Sequence, residues 1–338
     1  MKNQIDCAYC DRQAHLQKGG KELTYRKEVF KIVEHFYKCE KCKEEFTTNE
    51  TDTVSLLQAH NQYRERHSIP FVEDIIAIKE KYDLSASKMS EVLCLGANGF
   101  SNYENGEIPT PAIGNLIATV SKAEVFKTML EKAKNSFSNG SYKKALDKAN
   151  YLIDCEKTSQ PFYVRLNQYQ EPNSFTGYKK TNKEKIANLI VNYIINCNPD
   201  FNDRLKLNKL LFYTDFVSYK LFGVSITGLS YRAIDYGPVP TFYDNIYTYL
   251  ENENIINSNW IKDPNGSAKE TFISSSEYNK TLFDEKEKFA IDVITQIFKD
   301  IPSWDLVELS HKEQGWIELH PERKVIDYQK YAFNLVGA

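Results

Sequence analysis

No apolar run in these 338 residues approaches the roughly 18 needed to cross a bilayer. The opening stretch, MKNQIDCAYC, lacks the apolar core of a secretory signal. A cytoplasmic chain with no membrane partner is therefore expected. Cationic excess is missing too: a formal net charge of −3 gives no whole-chain signal for nucleic acid, so any DNA contact must rest on a local motif. Internal repeats and low-complexity tracts are absent. So are G-x-S-x-G, Walker, H-E-x-x-H and paired-carboxylate signatures, which leaves no catalytic residue to nominate and argues against an enzyme.

What is present is an ordinary globular balance, 41% hydrophobic and 26% charged, in a chain long enough for two or three domains. Seven cysteines is an odd number, and four of them form two tight pairs. That usage predicts metal ligation plus three lone core thiols, Cys94, Cys155 and Cys197, instead of a disulfide framework. Cys7-x-x-Cys10 and Cys39-x-x-Cys42 stand 28 residues apart. A two-residue gap lets both thiolates of a knuckle reach one ion, and four thiolates close a tetrahedral sphere with no position left for water. One structural zinc ion is expected, with a β-hairpin between the knuckles. His15 and His35 read as surface or packing residues, since the cysteines already fill the sphere.

The chain divides by composition into a zinc-binding domain (1–50), a polar, helix-compatible connector (51–70) closed by Pro70, a helical domain (71–154), a linker (155–182) rich in turn residues, and a C-terminal domain (183–338). A hairpin turn is expected at Pro264-Asn265-Gly266. The fold class is α+β, mostly helical.

Within LSASKMSEVLCLGANGFSNYENG, the spacing predicts a helix over 85–93 capped by Ser85, a turn at Leu95-Gly96, and a short helix over 97–104. That is the layout of a helix-turn-helix, whose second helix enters the major groove. Phe100 and Tyr103 would pack inward and leave Asn98, Ser101 and Asn102 facing out; asparagine can bond adenine bidentately. Ser87 and Lys88 are placed to touch phosphate. Against this, residues 71–122 hold seven acids and four lysines, so the lysines of 127–148 or dimerisation must supply attraction to phosphate.

CAYC…CEKC followed by LGANGFSNYENGEIPTP resembles MqsA-type antitoxins, which join a zinc domain to an Xre-like helix-turn-helix; the likeness covers roughly residues 5–130. It implies base reading by Asn98 and by an arginine at the place of Asn102, where this chain departs. KLNKLLFYTDF (206–216), YRAIDYGPVPTFYDNI (231–246) and LVELSHKEQGW (306–316) resemble the Panacea domain of SocA-like antitoxins. That resemblance implies a toxin-binding module at 183–338. Its candidate contacts are Tyr236, Val239 and Tyr243 around a rigid, backbone-exposed GPVP turn that starts a helix near Thr241, with Lys209 as a rim charge.

Together these readings predict an antitoxin of a type II toxin–antitoxin pair, a homodimer that binds a cognate protein toxin and its own operator DNA and represses its operon. One alternative is a zinc-containing transcriptional regulator of a mobile element with a C-terminal sensing domain. Another is an enzyme built on a pocket near His311.

Overall fold

The computed structural model describes residues 1–10, 12–158, 171–262 and 268–338. Its architecture mixes helix and sheet, with helix predominating. Two compact units emerge: one comprises Met1–Thr24, Lys31–Ala59 and the described part of Val164–Ala338, the other Tyr25–Phe30 and the described part of His60–Tyr163.

A four-stranded sheet, all but residues 25–30 of it belonging to the first unit, runs in the order β1 (Gln4–Asp6), β2 (Gln13–Tyr25), β3 (Glu28–Cys39), β4 (Glu45–Phe46). The expected hairpin is thus present, and its two-residue turn is made without glycine. Arg26 and Lys27 both take positive φ, 48° and 70°, as a primed hairpin turn requires. On β3 the buried residues are Phe30 and Ile32, then His35, Tyr37 and Cys39, so the alternation slips by one residue midway.

Residues 51–66 lie in one long helix, α1 (Asn49–Arg66), in keeping with their helix-compatible composition. Thr51, Ser55 and Gln58 are buried beside Val54 and Ala59. Polar side chains are tolerated there because they are paired: Ser55 Oγ donates to Thr51 O at 3.0 Å, and the Gln58 amide bonds the backbone of Val33.

The second unit is helical: α2 (Val72–Lys81), α3 (Ala86–Val92), α4 (Gly99–Glu104), α5 (Pro111–Thr119), α6 (Ala123–Lys132) and α7 (Asn139–Thr158). Its core gathers Ile75, Met89, Phe100, Ile117 and Leu130, with Tyr82 and Phe126 stacked at 3.6 Å. Ser85 caps α3 by accepting from the Lys88 amide, and Thr110 caps α5 ahead of Pro111.

The rest of the first unit is built around α9 (Arg204–Phe222), which follows α8 (Lys183–Asn196). Every residue from Lys206 to Tyr219 is buried, so this helix is enclosed on all sides and not along one stripe. Its interior polar groups are all engaged. Lys206 Nζ donates to the carbonyls of Lys299 and Ile301, each at 2.8 Å. Asp215 accepts from the amides of Ile226 and Thr227 and from the hydroxyls of Thr227 and Tyr231, fixing the return of the chain after the helix.

That return leads to β5 (Tyr231–Ile234) and β6 (Gly237–Pro240), an antiparallel pair with Ala233 opposite Pro238. GPVP is therefore a buried strand and no backbone-exposed turn, a correction with a simple cause. On its other side β5 bonds residues 324–326, which leaves β6 at the edge, where a residue without an N–H is tolerated. The helix that follows, α10, begins at Tyr243 (Tyr243–Asn252). Then come the antiparallel pair β7 (Ile256–Lys262) and β8 (Ala268–Ser274), and helices α11 (Glu285–Phe298), α12 (Ser303–Ser310), α13 (Gln314–Leu319) and α14 (Tyr328–Tyr331). The turn expected at Pro264-Asn265-Gly266, the Cys155 side chain and residues 159–170 of the expected linker lie outside the described residues. No helix among the described residues is long and apolar enough to cross a membrane.

Candidate functional site

The two knuckles meet at the end of the hairpin sheet. The sulfurs of Cys7, Cys10, Cys39 and Cys42 all lie within 4.8 Å of one another. Cys7–Cys42, Cys10–Cys39 and Cys10–Cys42 are separated by 3.7, 3.5 and 3.6 Å. A tetrahedron with metal–sulfur bonds of about 2.3 Å has edges of about 3.8 Å, so the four donors fit a zinc-sized ion.

Local backbone bonds hold them in place: the Cys7 amide donates to Arg12 O at 2.6 Å, the Tyr9 amide to Cys7 Sγ at 3.4 Å, and the Cys39 amide to Glu44 O at 3.0 Å. Burial raises the Cys39 thiol, yet the amides of Cys42 and Lys41 outweigh it and bring it down to about 6. Cys42 moves the other way, to about 12, because burial and the neighbouring thiols overcome the Glu44 amide. A bound cation would let all four sulfurs be thiolates at once by sharing their charge. The arrangement can therefore bind a metal such as zinc. His15 is bonded to Glu40, and His35 is buried with its ring 5.6 Å from that of Phe333, so neither joins the cluster.

In the second unit α3 and α4 follow one another through a short turn, pinned where the Phe100 amide donates to Ser90 Oγ at 3.0 Å. Phe100 is buried, as expected from the sequence. Asn98, at the N-cap of α4, and Asn102 are exposed and one turn apart; Ser101 is half-buried and Ser87 exposed. Lys88 is half-buried, with its ammonium 2.6 Å from Glu91 and 2.8 Å from Ser136 O, over the Phe137 ring.

In the C-terminal part the expected contacts separate. Lys209 is wholly buried and donates to Pro238 O at 3.1 Å, and burial brings its ammonium down to about 7. It supports β6 from beneath and is no rim charge. Val239 is buried in the same strand, and Tyr243 is half-buried at the start of α10. Tyr236 alone of the four is well exposed, at 53%, with its ring edge-on to Trp304 at 5.7 Å.

Gly237 explains the tight register here: its φ of 90° suits glycine, and a Cβ would collide with Ser310 and Lys209. Nearby, Trp316 is stacked between His311 at 3.9 Å and His320 at 4.4 Å, and its indole N–H donates to Ile234 O at 2.8 Å. Burial and the Lys209 charge both lower the basicity of His311, and its Nε2 is buried without a hydrogen-bond partner. Sequence reasoning missed Trp304 as a neighbour of Tyr236, and nothing in its local pattern distinguishes an exposed tryptophan from a packed one. It also missed Glu313, buried in α13's N-cap, which accepts from Tyr213 Oη and from the amides of Val336 and Gly337.

No curated protein matches the chain. Residues 207–317, from the first turn of α9 into α13, match the family described as Antitoxin SocA-like, Panacea domain, which points to an antitoxin-type role.

Proposed function

We propose that this chain is the antitoxin of a type II pair, which neutralises a toxin by direct binding through its C-terminal part and represses its own operon through α3 and α4. The observation that carries the reading is the SocA-like match over 207–317. The four-cysteine cluster supports a zinc-stabilised N-terminal sheet. The exposed Asn98 and Asn102, one turn apart on α4, suit base contacts in a major groove. A homodimer on two half-sites about one helical turn apart is the natural form of such a repressor.

The test is co-expression of the full-length chain with the product of the adjacent gene. Growth rescue together with co-purification is expected. A harmless neighbour, or rescue without any complex, would remove the antitoxin reading and leave a zinc-containing regulator.

A further inference from the structure

Two large aromatic side chains stand exposed together on the C-terminal part of the molecule. Trp304 is 59% exposed and Tyr236 53%, and their rings meet edge-to-face at 77°. Trp304 lies in the first turn of α12, where Leu306, Val307 and Ser310 face the core. Asp305 adjoins it, and Glu308 sits one turn further along the same face; both are exposed. Among the described residues neither carboxylate has an ion-pair partner, whereas Asp235, next to Tyr236, is held by Arg323 and His320.

The pair is also held from below. Tyr236 caps the β5–β6 turn, which is fixed by the Trp316–Ile234 bond and by Gly237 closing over Ser310 and Lys209. A ring mounted on such a turn loses little freedom when something lands on it.

This chemistry selects its occupant. Trp and Tyr are the side chains most enriched among binding anchors. An aromatic face beside unneutralised carboxylates matches a guanidinium, which stacks on the ring and pairs with the acid at once. A lysine ammonium matches the charge but lacks the plane, and an acidic or purely aliphatic surface would leave both carboxylates desolvated and unpaired. We infer that Tyr236 and Trp304, with Asp305 and Glu308, form the docking point for an arginine-bearing segment of a protein partner. On the antitoxin reading, that partner is the toxin.

The experiment uses the purified full-length chain. Isothermal titration calorimetry, which needs no tryptophan reporter, follows binding of an eight-residue arginine peptide and of its citrulline counterpart, which keeps the shape and removes the charge. Saturable binding of the arginine peptide is expected, at least tenfold weaker for citrulline. Trp304→Ala should abolish it without lowering Tm, and Glu308→Gln should weaken it several-fold. Equal binding by Trp304→Ala, or equal binding of both peptides, overturns the inference.

The adjacent gene's product is then tested against the same variants. Loss of its binding in Trp304→Ala supports the site, whereas undiminished binding overturns it and leaves the antitoxin reading intact. If that product binds neither the wild type nor the variants, the antitoxin reading fails, and the peptide titration alone decides the site.

Discussion

The side-chain amide of Gln58 pairs with the peptide of Val33 as a neighbouring strand would: the Val33 amide donates to Gln58 Oε1 and Gln58 Nε2 donates to Val33 O, both at 2.9 Å. Gln329 Nε2 adds a third bond to the same Oε1 at 2.9 Å, and Tyr219 Oη donates to Gln329 Oε1 at 2.6 Å. One glutamine thus joins β3 and α1 to the C-terminal α14 and, through Gln329, to α9. Gln58→Leu should leave buried donors and acceptors unpaired, at about 1–3 kcal/mol for each group. The expected outcome is a Tm several degrees lower, read by calorimetry. Gln58→Glu should recover part of the loss, since it can still accept from Val33. An unchanged Tm for Gln58→Leu would mean that water replaces these bonds without cost.

Metal content follows from the sulfur geometry. The purified protein should carry about one zinc per chain, and Cys39→Ser should lose it. Such sites contribute on the order of 10 kcal/mol to the fold around them, and binding weakens in acid as the thiolates take up protons. β3 runs from Cys39 back past His35, whose ring meets Phe333, while Lys18 of β2 donates to Phe333 O. Chelation should therefore raise amide exchange at 328–338 as well as at 4–46. Protection lost only at the knuckles would show that the sheet holds without its metal.

On the reading of α3 and α4 as the DNA-contacting pair, Asn98→Ala should cost roughly 1–3 kcal/mol of operator affinity and relax base preference, as for a bidentate contact. Lys88→Ala should leave the salt dependence of binding nearly unchanged, because its ammonium is already engaged by Glu91 and Ser136 O. A salt slope shallower by about one for Lys88→Ala would show that the lysine leaves those partners for a phosphate. Filter binding over a salt series with operator and scrambled DNA separates these outcomes.

Much of this was legible in residue spacing. Paired cysteines specify a knuckle because a two-residue gap fixes the local geometry, and the caps at Ser85 and Thr110 mark helix starts through backbone amides close in sequence. What escaped depends on partners distant in sequence. The packing of the polar α1 is one such case, since nothing local reveals that Gln58 serves a strand 25 residues away. GPVP read as a turn because two prolines speak against a strand until β5 and residues 324–326 place it at an edge. Lys209 read as a rim because a lone lysine in a helix is usually solvated, and here the helix is enclosed all round.

That enclosed lysine gives a pH signature with a definite sign. Burial brings the Lys209 ammonium from 10.5 down to about 7 in the folded protein, while the unfolded chain keeps the ordinary value. Between these two values the unfolded state binds more protons, so stability rises with pH across that window and is lost as pH falls through about 7. The slope can reach about 1.4 kcal/mol per pH unit where only the unfolded lysine is charged. Lys209→Met keeps the length of the side chain, removes the buried charge and gives up the bond to Pro238 O. Urea midpoints for the wild type should therefore climb from pH 7 to pH 9 more steeply than those for Lys209→Met, and the variant should gain most relative to the wild type at the acid end. The Lys209 charge also lowers the basicity of His311, so the comparison is read between pH 8 and pH 9, where a histidine is neutral in both proteins. Parallel curves would mean that Lys209 stays charged in the fold, with water reaching it beneath β6.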